Sequence, residues 1–145
     1  MCDILSYAVA QTITLRPRSA KTLARLEQRA KLTRVPKTVL ADRYVEEGLA
    51  MDTYPGIVFR DGPAGRRPAL LGGPDVWEVI QVFLVEDRDV SATAENLGLR
   101  PGLVDAAVAY YADNQDAIDE WIEANRTMMD EAAAAFDRQQ AVKRA

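Results

Sequence analysis

Apolar and polar residues alternate near the start of the chain and then change to a helical spacing. In residues 10–15, Ala-Gln-Thr-Ile-Thr-Leu, the side chains of Ile13 and Leu15 fall on one face of a strand. The other face carries Thr12, Thr14 and Arg16. Pro17 ends the alternation, so the pattern predicts a short strand.

Two amphipathic helices are predicted directly after this strand. Ser19 is a plausible N-cap for the first. Its apolar stripe consists of Ala20, Leu23, Leu26 and Ala30. The spacing breaks at residues 33–35, and Pro36 suits the first turn of the second helix, which ends near residues 48–52. The predicted buried positions of the second helix are Leu40, Tyr44, Val45 and Leu49.

A lone strand cannot satisfy its own backbone hydrogen bonds, and about 40 residues form a marginal core for one chain. The simplest solution is a second copy, whose strand pairs antiparallel with the first. The outer face of this ribbon then presents Thr12, Thr14 and Arg16 from each chain, and a two-stranded ribbon fits the DNA major groove.

Charge is distributed unevenly along the chain. Residues 1–50 carry nine Lys or Arg and five Asp or Glu, whereas residues 51–145 carry nine and 17. Between Arg16 and Lys37, eight basic residues accompany one acid, Glu27. A basic amino half on an acidic chain predicts two surfaces with different partners. The alternative interpretation of the basic run is a solvated helix face.

Residues 10–50 resemble a ribbon-helix-helix DNA-binding domain of the Arc/MetJ/CopG superfamily. The resemblance rests on the strand over residues 12–15 and on the apolar spacing of the two helices. It implies that outward strand residues read bases and that residues 35–38 clamp a phosphate through backbone N–H groups. Arg34 stands where the family often has Gly, and Pro36 lacks one such donor. The implied DNA-binding residues are Thr12, Thr14, Arg16, Arg18, Lys37 and Thr38.

The next segment predicts a β-hairpin followed by helices. Residues 57–60 and 66–71 read as strands around a turn at residues 61–65, and Asp75 is the expected cap of a helix. The apolar stripe of that helix is Val76, Trp77, Ile80, Phe83 and Leu84. The spacing of Ala94, Gly98, Leu99, Val104 and Ala107 is typical of a helix-turn-helix.

The second helix of this pair is poorly suited to DNA. Its predicted exposed residues are Arg100, Leu103, Asp105, Ala106 and Ala109. One Arg offset by one Asp supplies little positive charge for a groove. We therefore expect packing or protein interaction here.

Residues 54–122 resemble the small antitoxin-associated family known as domain of unknown function 433. The shared features are residues 57–60, Gly65-Arg66-Arg67-Pro68, residues 76–80 and the helix-turn-helix pattern. Residues 71–74 lack the Thr-Arg of the family's second turn. The resemblance implies a winged-helix-like domain that accompanies a PIN-like ribonuclease toxin, as in VapB-like antitoxins.

Residues 113–140 read as one or two helices with an intermittent apolar stripe. The stripe consists of Ile118, Trp121, Ile122, Met129 and Phe136. The opposite surface carries Asp116, Asp119, Glu120 and Glu123. Four carboxylates at this spacing are chemically suited to Mg²⁺, but a solvated acidic face is the favoured interpretation. Arg126, Arg138 and Arg144 are candidate contacts to a toxin on charge alone, and Arg126 and Arg138 are the predicted partner-binding residues.

Composition argues against catalysis. The chain has one cysteine and no histidine, which excludes a disulfide framework, a Cys/His zinc site and a His general base. Neither a nucleophile–base pair nor a phosphate-binding glycine loop is recognisable, so we expect no enzyme activity, cofactor or metal. The uncharged run at residues 4–15 is too short to span a bilayer, and we expect a cytoplasmic protein without a membrane partner.

These observations predict a mostly α-helical protein. An amino-terminal ribbon-helix-helix (residues 10–52) forms an intertwined homodimer. A β-hairpin and three-helix winged-helix-like domain (54–122) follows, and then a carboxyl-terminal helical tail (123–145). The expected function is an antitoxin and autorepressor that binds operator DNA and neutralises a PIN-like ribonuclease. The alternatives are a repressor without a toxin and a protein-interaction adaptor that has lost DNA binding.

Overall fold

The computed structural model describes residues 12–144. Within this range the chain forms six helices and one two-stranded antiparallel hairpin. The helices are α1 (Ala20–Thr33), α2 (Lys37–Thr53), α3 (Val76–Val85), α4 (Val90–Leu97), α5 (Pro101–Asp113) and α6 (Gln115–Arg144). The strands are β1 (Ile57–Gly62) and β2 (Gly65–Leu70). A mostly helical fold with one hairpin is therefore confirmed.

The chain divides into two compact units between Tyr44 and Val45, a point that lies within α2. The predicted boundary after residue 52 falls at the end of this helix. Helix α6 runs unbroken through residues 122 and 123, where the predicted second domain ended and the tail began.

In the first unit, the predicted strand is absent from the residues that the structure describes. Residues 12–17 have no regular secondary structure, and residues 10–11 of the predicted strand lie outside the described range. A strand is stable only with a partner that accepts and donates its backbone hydrogen bonds. The ribbon was predicted from two copies, and one chain supplies only half of it.

The predicted helices of this unit are present. The Ser19 hydroxyl accepts a hydrogen bond from the Lys21 backbone N–H at 3.2 Å and caps α1. Arg34 takes the left-handed conformation at the end of α1, with φ of 56°. The predicted apolar stripes are mostly exposed in the single chain, with Leu40 buried but Leu23 and Tyr44 exposed.

The second unit contains one hydrophobic core. The hairpin register runs from Ile57 opposite Leu70 to Gly62 opposite Gly65. The predicted hairpin is present, but its strands extend further into the predicted turn, which leaves only residues 63 and 64 between them. Helix α3 packs on β2, α4, α5 and the start of α6. The buried core residues are Ile57, Leu70, Val76, Val79, Ile80, Phe83, Ala94, Val104, Ala107 and Ile118.

The predicted helix-turn-helix is confirmed as α4 and α5. Gly98 ends α4 in the left-handed conformation, with φ of 64°, and its N–H donates to the carbonyls of Ala94 and Glu95. Ala94 and Val104 are buried between the helices, where a small residue permits close approach. The Asp89 carboxylate caps α4 by accepting from the Ala92 N–H at 2.8 Å.

Candidate nucleic-acid interface

The segment from Thr12 to Arg18 is exposed along its whole length. Ile13 is 80% exposed and Leu15 is 59% exposed, although both are apolar. Alternating positions share one face of an extended strand, so Ile13 and Leu15 would form a single apolar edge if this segment paired with another strand. The candidate base-reading residues Thr12, Thr14 and Arg16, with Arg18, are on this segment and are exposed.

Helix α1 follows this segment with a basic surface. Lys21, Arg25 and Arg29 lie four residues apart and are exposed. The Thr33 hydroxyl donates to the Arg29 carbonyl at 2.8 Å within the last turn. Nine basic and two acidic residues fall within residues 12–44, so the charge of the described first unit is +7. Positive charge of this density is the electrostatic signature of nucleic-acid binding.

The start of α2 keeps the backbone donors expected of a phosphate clamp. The Pro36 carbonyl accepts from the Leu40 N–H at 3.0 Å, so Pro36 lies immediately before the helix. The first-turn N–H groups of Lys37 and Thr38 have no acceptor within the helix. Pro36 therefore removes no donor from the first turn of α2, although it supplies no N–H of its own to the clamp implied over residues 35–38. The helix dipole favours an anion at the same end.

Glu27 lies next to the predicted clamp, a relationship that sequence reasoning missed. Its Oε1 is 3.3 Å from the Lys37 Nζ, and the two side chains are 46% and 57% exposed. The ion pair joins α1 to the first residue of α2. The sequence identified Glu27 as the one acid in the basic window, but the turn between the helices is what brings it to Lys37.

The two arginines proposed for a protein partner are on α6, in the second unit. Arg126 pairs with Glu123, with its Nη2 2.8 Å from Oε2. Both side chains of this pair are more than half exposed. Arg138 is also exposed, one turn before the last turn of the helix. Neither residue contributes to the core of the second unit.

The hairpin arginines have structural roles that the sequence did not reveal. Arg60 and Arg67 lie opposite each other on β1 and β2, and both donate to the buried carboxylate of Asp75. The Arg67 guanidinium also lies 5.9 Å from the centre of the Trp121 ring. These contacts join the hairpin to the start of α3 and to α6.

A second ion pair joins the hairpin to α2. The Arg66 guanidinium donates to both carboxylate oxygens of Glu47, and this hydrogen bonding raises the pKa of Arg66 above its ordinary value. Because they hold structural carboxylates, Arg66 and Arg67 are poor candidates for ligand contacts. Both arginines of the Gly-Arg-Arg-Pro sequence therefore have a structural role, in which they pair with carboxylates of α2 and of the start of α3.

The exposed surface of α5 remains a weak candidate for DNA. Arg100 and Asp105 are exposed, whereas Leu103 and Ala106 are partly buried against the fold rather than fully exposed as predicted. One cation beside one anion gives this surface no net positive charge. Its chemistry favours packing over groove recognition.

The acidic side chains of α6 do not converge. Among residues 12–144, no group of three or more His, Cys, Asp or Glu side chains is arranged to hold a metal ion. Asp119 instead accepts a hydrogen bond from the Tyr111 hydroxyl at 2.9 Å. No helix in the described part of the chain combines the length and apolar character needed to cross a membrane.

Comparison with known proteins leaves the family open. No family model, curated protein or solved structure matches the chain.

Proposed function

We propose that the protein is a DNA-binding autorepressor and antitoxin, which reads operator DNA through a ribbon formed by residues 12–16 of two copies. The carrying observation is the exposed segment Thr12–Arg18, in which apolar Ile13 and Leu15 alternate with polar residues. An antiparallel partner strand supplies the missing backbone hydrogen bonds, and the helices of the two copies cover the apolar face. The polar face then points outward, towards the major groove.

The exposed apolar residues of α1 and α2 support a dimer. Leu23 is 39% exposed, Leu32 71% and Val39 49%. Burial of apolar area stabilises association at roughly 25 cal/mol per Å². An intertwined pair of helices offers a place for these side chains that one chain lacks.

The charge of the first unit supports DNA as the ligand. Lys37 and Thr38 begin α2 with their first-turn N–H groups available, and the basic surface of α1 lies before them in the chain. Phosphate contacts of this kind position a protein on the duplex, while the ribbon residues read base edges. Thr14 and Arg16 are the residues whose loss is expected to reduce discrimination between sequences.

The DNA-binding proposal is tested by fluorescence anisotropy at several salt concentrations. The protein is added to labelled DNA from the region upstream of its own gene, and labelled random DNA is the reference. Thr14→Ala/Arg16→Ala is expected to abolish discrimination between the two DNAs. The matched control Thr22→Ala/Arg25→Ala removes the same residue types from α1 and is expected to lower both affinities together. For the wild type, log affinity falls with log salt by about 0.9 per phosphate contact. Equal affinity for both DNAs would refute the ribbon as a sequence reader.

The proposed toxin is a PIN-like ribonuclease, bound by the acidic carboxyl-terminal half. The support is the exposed part of α6 that follows Ile122, which carries Arg126 and Arg138. A guanidinium placed near an acidic catalytic centre pairs with its carboxylates. The test is RNA cleavage by the neighbouring-gene ribonuclease with and without the protein. Arg126→Glu/Arg138→Glu is expected to lose inhibition, while Arg88→Glu/Arg100→Glu, at exposed positions outside α6, is expected to retain most of it. Absence of inhibition by the wild type would favour a repressor without a toxin.

A further inference from the structure

Arg34 ends α1 in a backbone conformation that a residue with a Cβ disfavours. The conformation is left-handed, with φ of 56° and ψ of 30°. Glycine adopts it without penalty, whereas a Cβ crowds the following carbonyl oxygen. Within residues 12–144, the other non-glycine residues with a positive φ are Asp87 and Arg88. Strained residues of this kind cluster at functional sites, so the function of the Arg34 side chain is a fair question.

Folding contacts do not account for an arginine at this position. The Arg34 side chain is exposed and has no hydrogen bond or ion pair with any residue in the range 12–144. The hairpin arginines differ, because Arg60, Arg66 and Arg67 each donate to a buried carboxylate. The guanidinium of Arg34 is therefore available to a ligand.

The surroundings of Arg34 in the chain are basic. Residues 28–41 contain no acid and four basic side chains, which are Arg29, Lys31, Arg34 and Lys37. Lys37 is paired with Glu27, so part of its charge is already offset. Three residues of extended chain span at most about 11 Å, and the Arg34 Cα lies within that distance of the Lys37 Cα. Arg34 thus adds an unpaired cation close to the start of α2, where phosphate contacts are already proposed.

The chemistry of guanidinium suits a phosphate group. Its planar fork donates two parallel hydrogen bonds to phosphate oxygens, and it keeps its charge throughout the physiological pH range. Glycine or asparagine would fit the backbone of residue 34 better, but neither carries a charge. The glycine that is common at this position in the ribbon-helix-helix family offers no side chain for such a contact.

We infer that Arg34 binds a phosphodiester of the DNA backbone beside the start of α2. The inference rests on the proposed DNA binding and adds a contact that the ribbon residues, Lys37 and Thr38 do not supply. Because the phosphates of every DNA sequence are alike, this contact strengthens binding without discriminating between sequences.

Arg88 provides a matched control for Arg34. It is also an exposed arginine with a left-handed backbone, at φ of 64°, but it belongs to the second unit and lies between Asp87 and Asp89. Arg34→Gly and Arg88→Gly therefore remove the same charge from the same backbone conformation. Glycine favours that conformation, so both variants are expected to keep the circular dichroism spectrum of the wild type. Arg34→Asn is a second uncharged variant, since asparagine also accepts the left-handed conformation.

Each variant is titrated by fluorescence anisotropy against labelled upstream DNA and labelled random DNA at several salt concentrations. Arg34→Gly and Arg34→Asn are expected to weaken binding to both DNAs by about tenfold, the loss of one charged hydrogen-bonded contact. The slope of log affinity against log salt is expected to fall by about 0.9. Arg88→Gly is expected to match the wild type. Arg34→Lys keeps the charge and is expected to keep the wild-type slope.

The titrations separate failure of this contact from failure of the proposed function. If the wild type binds DNA in a salt-dependent way and both uncharged Arg34 variants keep its affinity and slope, the contact is refuted while DNA binding stands. An equal loss in Arg88→Gly would assign the effect to net charge and overturn the inference. A loss confined to the upstream DNA would assign it to a base contact and overturn the inference as well. A wild-type protein that binds neither DNA would refute the proposed function and the Arg34 contact together.

Discussion

The Arg66 guanidinium meets the Glu47 carboxylate through two hydrogen bonds, Nε to Oε1 at 2.5 Å and Nη2 to Oε2 at 2.6 Å. Glu47 is on α2 and is 8% exposed, and Arg66 is on β2. The pair therefore joins the carboxyl-terminal part of α2 to the hairpin within the second unit. Asp61 lies 3.5 Å from the same guanidinium but is mostly exposed, so it replaces little of this interaction.

Removing Glu47 is expected to destabilise the second unit. Glu47→Ala leaves the partly buried Arg66 without its main partner, at a cost of about 2 kcal/mol. The measurement is urea unfolding followed by tryptophan fluorescence. The neighbouring Glu46→Ala removes an exposed carboxylate of the same type and is expected to change the free energy of unfolding by less than about 0.5 kcal/mol. Equal effects of the two variants would contradict a structural role for the pair.

Asp75 is expected to be the more sensitive position. Its carboxylate is 3% exposed and accepts from Arg60 and Arg67, while its backbone N–H donates to the Glu78 carboxylate at 2.8 Å. Asp75→Ala leaves two like charges opposed across the hairpin, with a loss of about 3 kcal/mol in urea unfolding. Asp130→Ala, on the exposed part of α6, serves as the control. A loss below about 1 kcal/mol for Asp75→Ala would show that the arginines find other partners.

The second unit was largely predictable because its signals are local. Two short strand-like runs around a cluster of turn residues predicted the hairpin, and Gly98 with its small and apolar neighbours predicted the α4–α5 pair. Asp75 was expected only as a helix cap. Its two arginines come from strands that precede it, and their meeting depends on the hairpin register, which a charge pattern along the sequence does not specify.

The first unit was less predictable because its proposed fold needs a second copy. The alternation at Thr12–Leu15 predicted a strand. Among the described residues of the single chain, no second strand pairs with this segment. The helices depend on local capping and apolar spacing. Ser19 and Pro36 therefore predicted the starts of α1 and α2, which begin one residue later, at Ala20 and Lys37. The proposed dimer would bury Leu23 and Tyr44 against a second copy, and both are exposed in the single chain.

Two glycines are expected to respond to alanine with opposite signs. Gly98 has a positive φ of 64°, where a Cβ is strained, so Gly98→Ala is expected to lower the free energy of unfolding by about 1 kcal/mol. Gly48 lies inside α2 with open space around it. Gly48→Ala is expected to raise that energy by about 0.5–1 kcal/mol, because alanine favours the helix. Urea unfolding of both variants measures the two changes in the free energy of unfolding. Destabilisation by Gly48→Ala as well as by Gly98→Ala would contradict the prediction that residue 48 tolerates a Cβ.

The Tyr54 hydroxyl is expected to make stability depend on alkaline pH. It donates to Asp113 at 2.5 Å, and this hydrogen bond raises the pKa of Tyr54 above 10.0. The folded state thus favours the protonated phenol. The hydrogen bond therefore stabilises the folded state fully below pH 10. This stabilisation is lost as the pH rises through the raised pKa of Tyr54.

Tyr54→Phe isolates this effect, since the ring can still pack edge-on against Tyr110. The variant is expected to lose less stability than the wild type between about pH 8 and about pH 11, measured by urea unfolding. Tyr44→Phe, at an exposed position, is the control and is expected to follow the wild type. Identical pH profiles for Tyr54→Phe and the wild type would mean that the bond to Asp113 does not persist in solution.

Glu27 is expected to limit DNA affinity by holding Lys37. The carboxylate lies 3.3 Å from the ammonium that we propose as a phosphate contact, so the two acceptors compete for one cation. Glu27→Gln keeps the size of the side chain and frees Lys37. Affinity is expected to rise, and the slope of log affinity against log salt to steepen by up to about 0.9, the value of one phosphate contact. Asp42→Asn removes the other acid of the described first unit and controls for the change in net charge. If both variants raised affinity equally, the effect would be one of overall charge, and Lys37 would have no special place in the clamp.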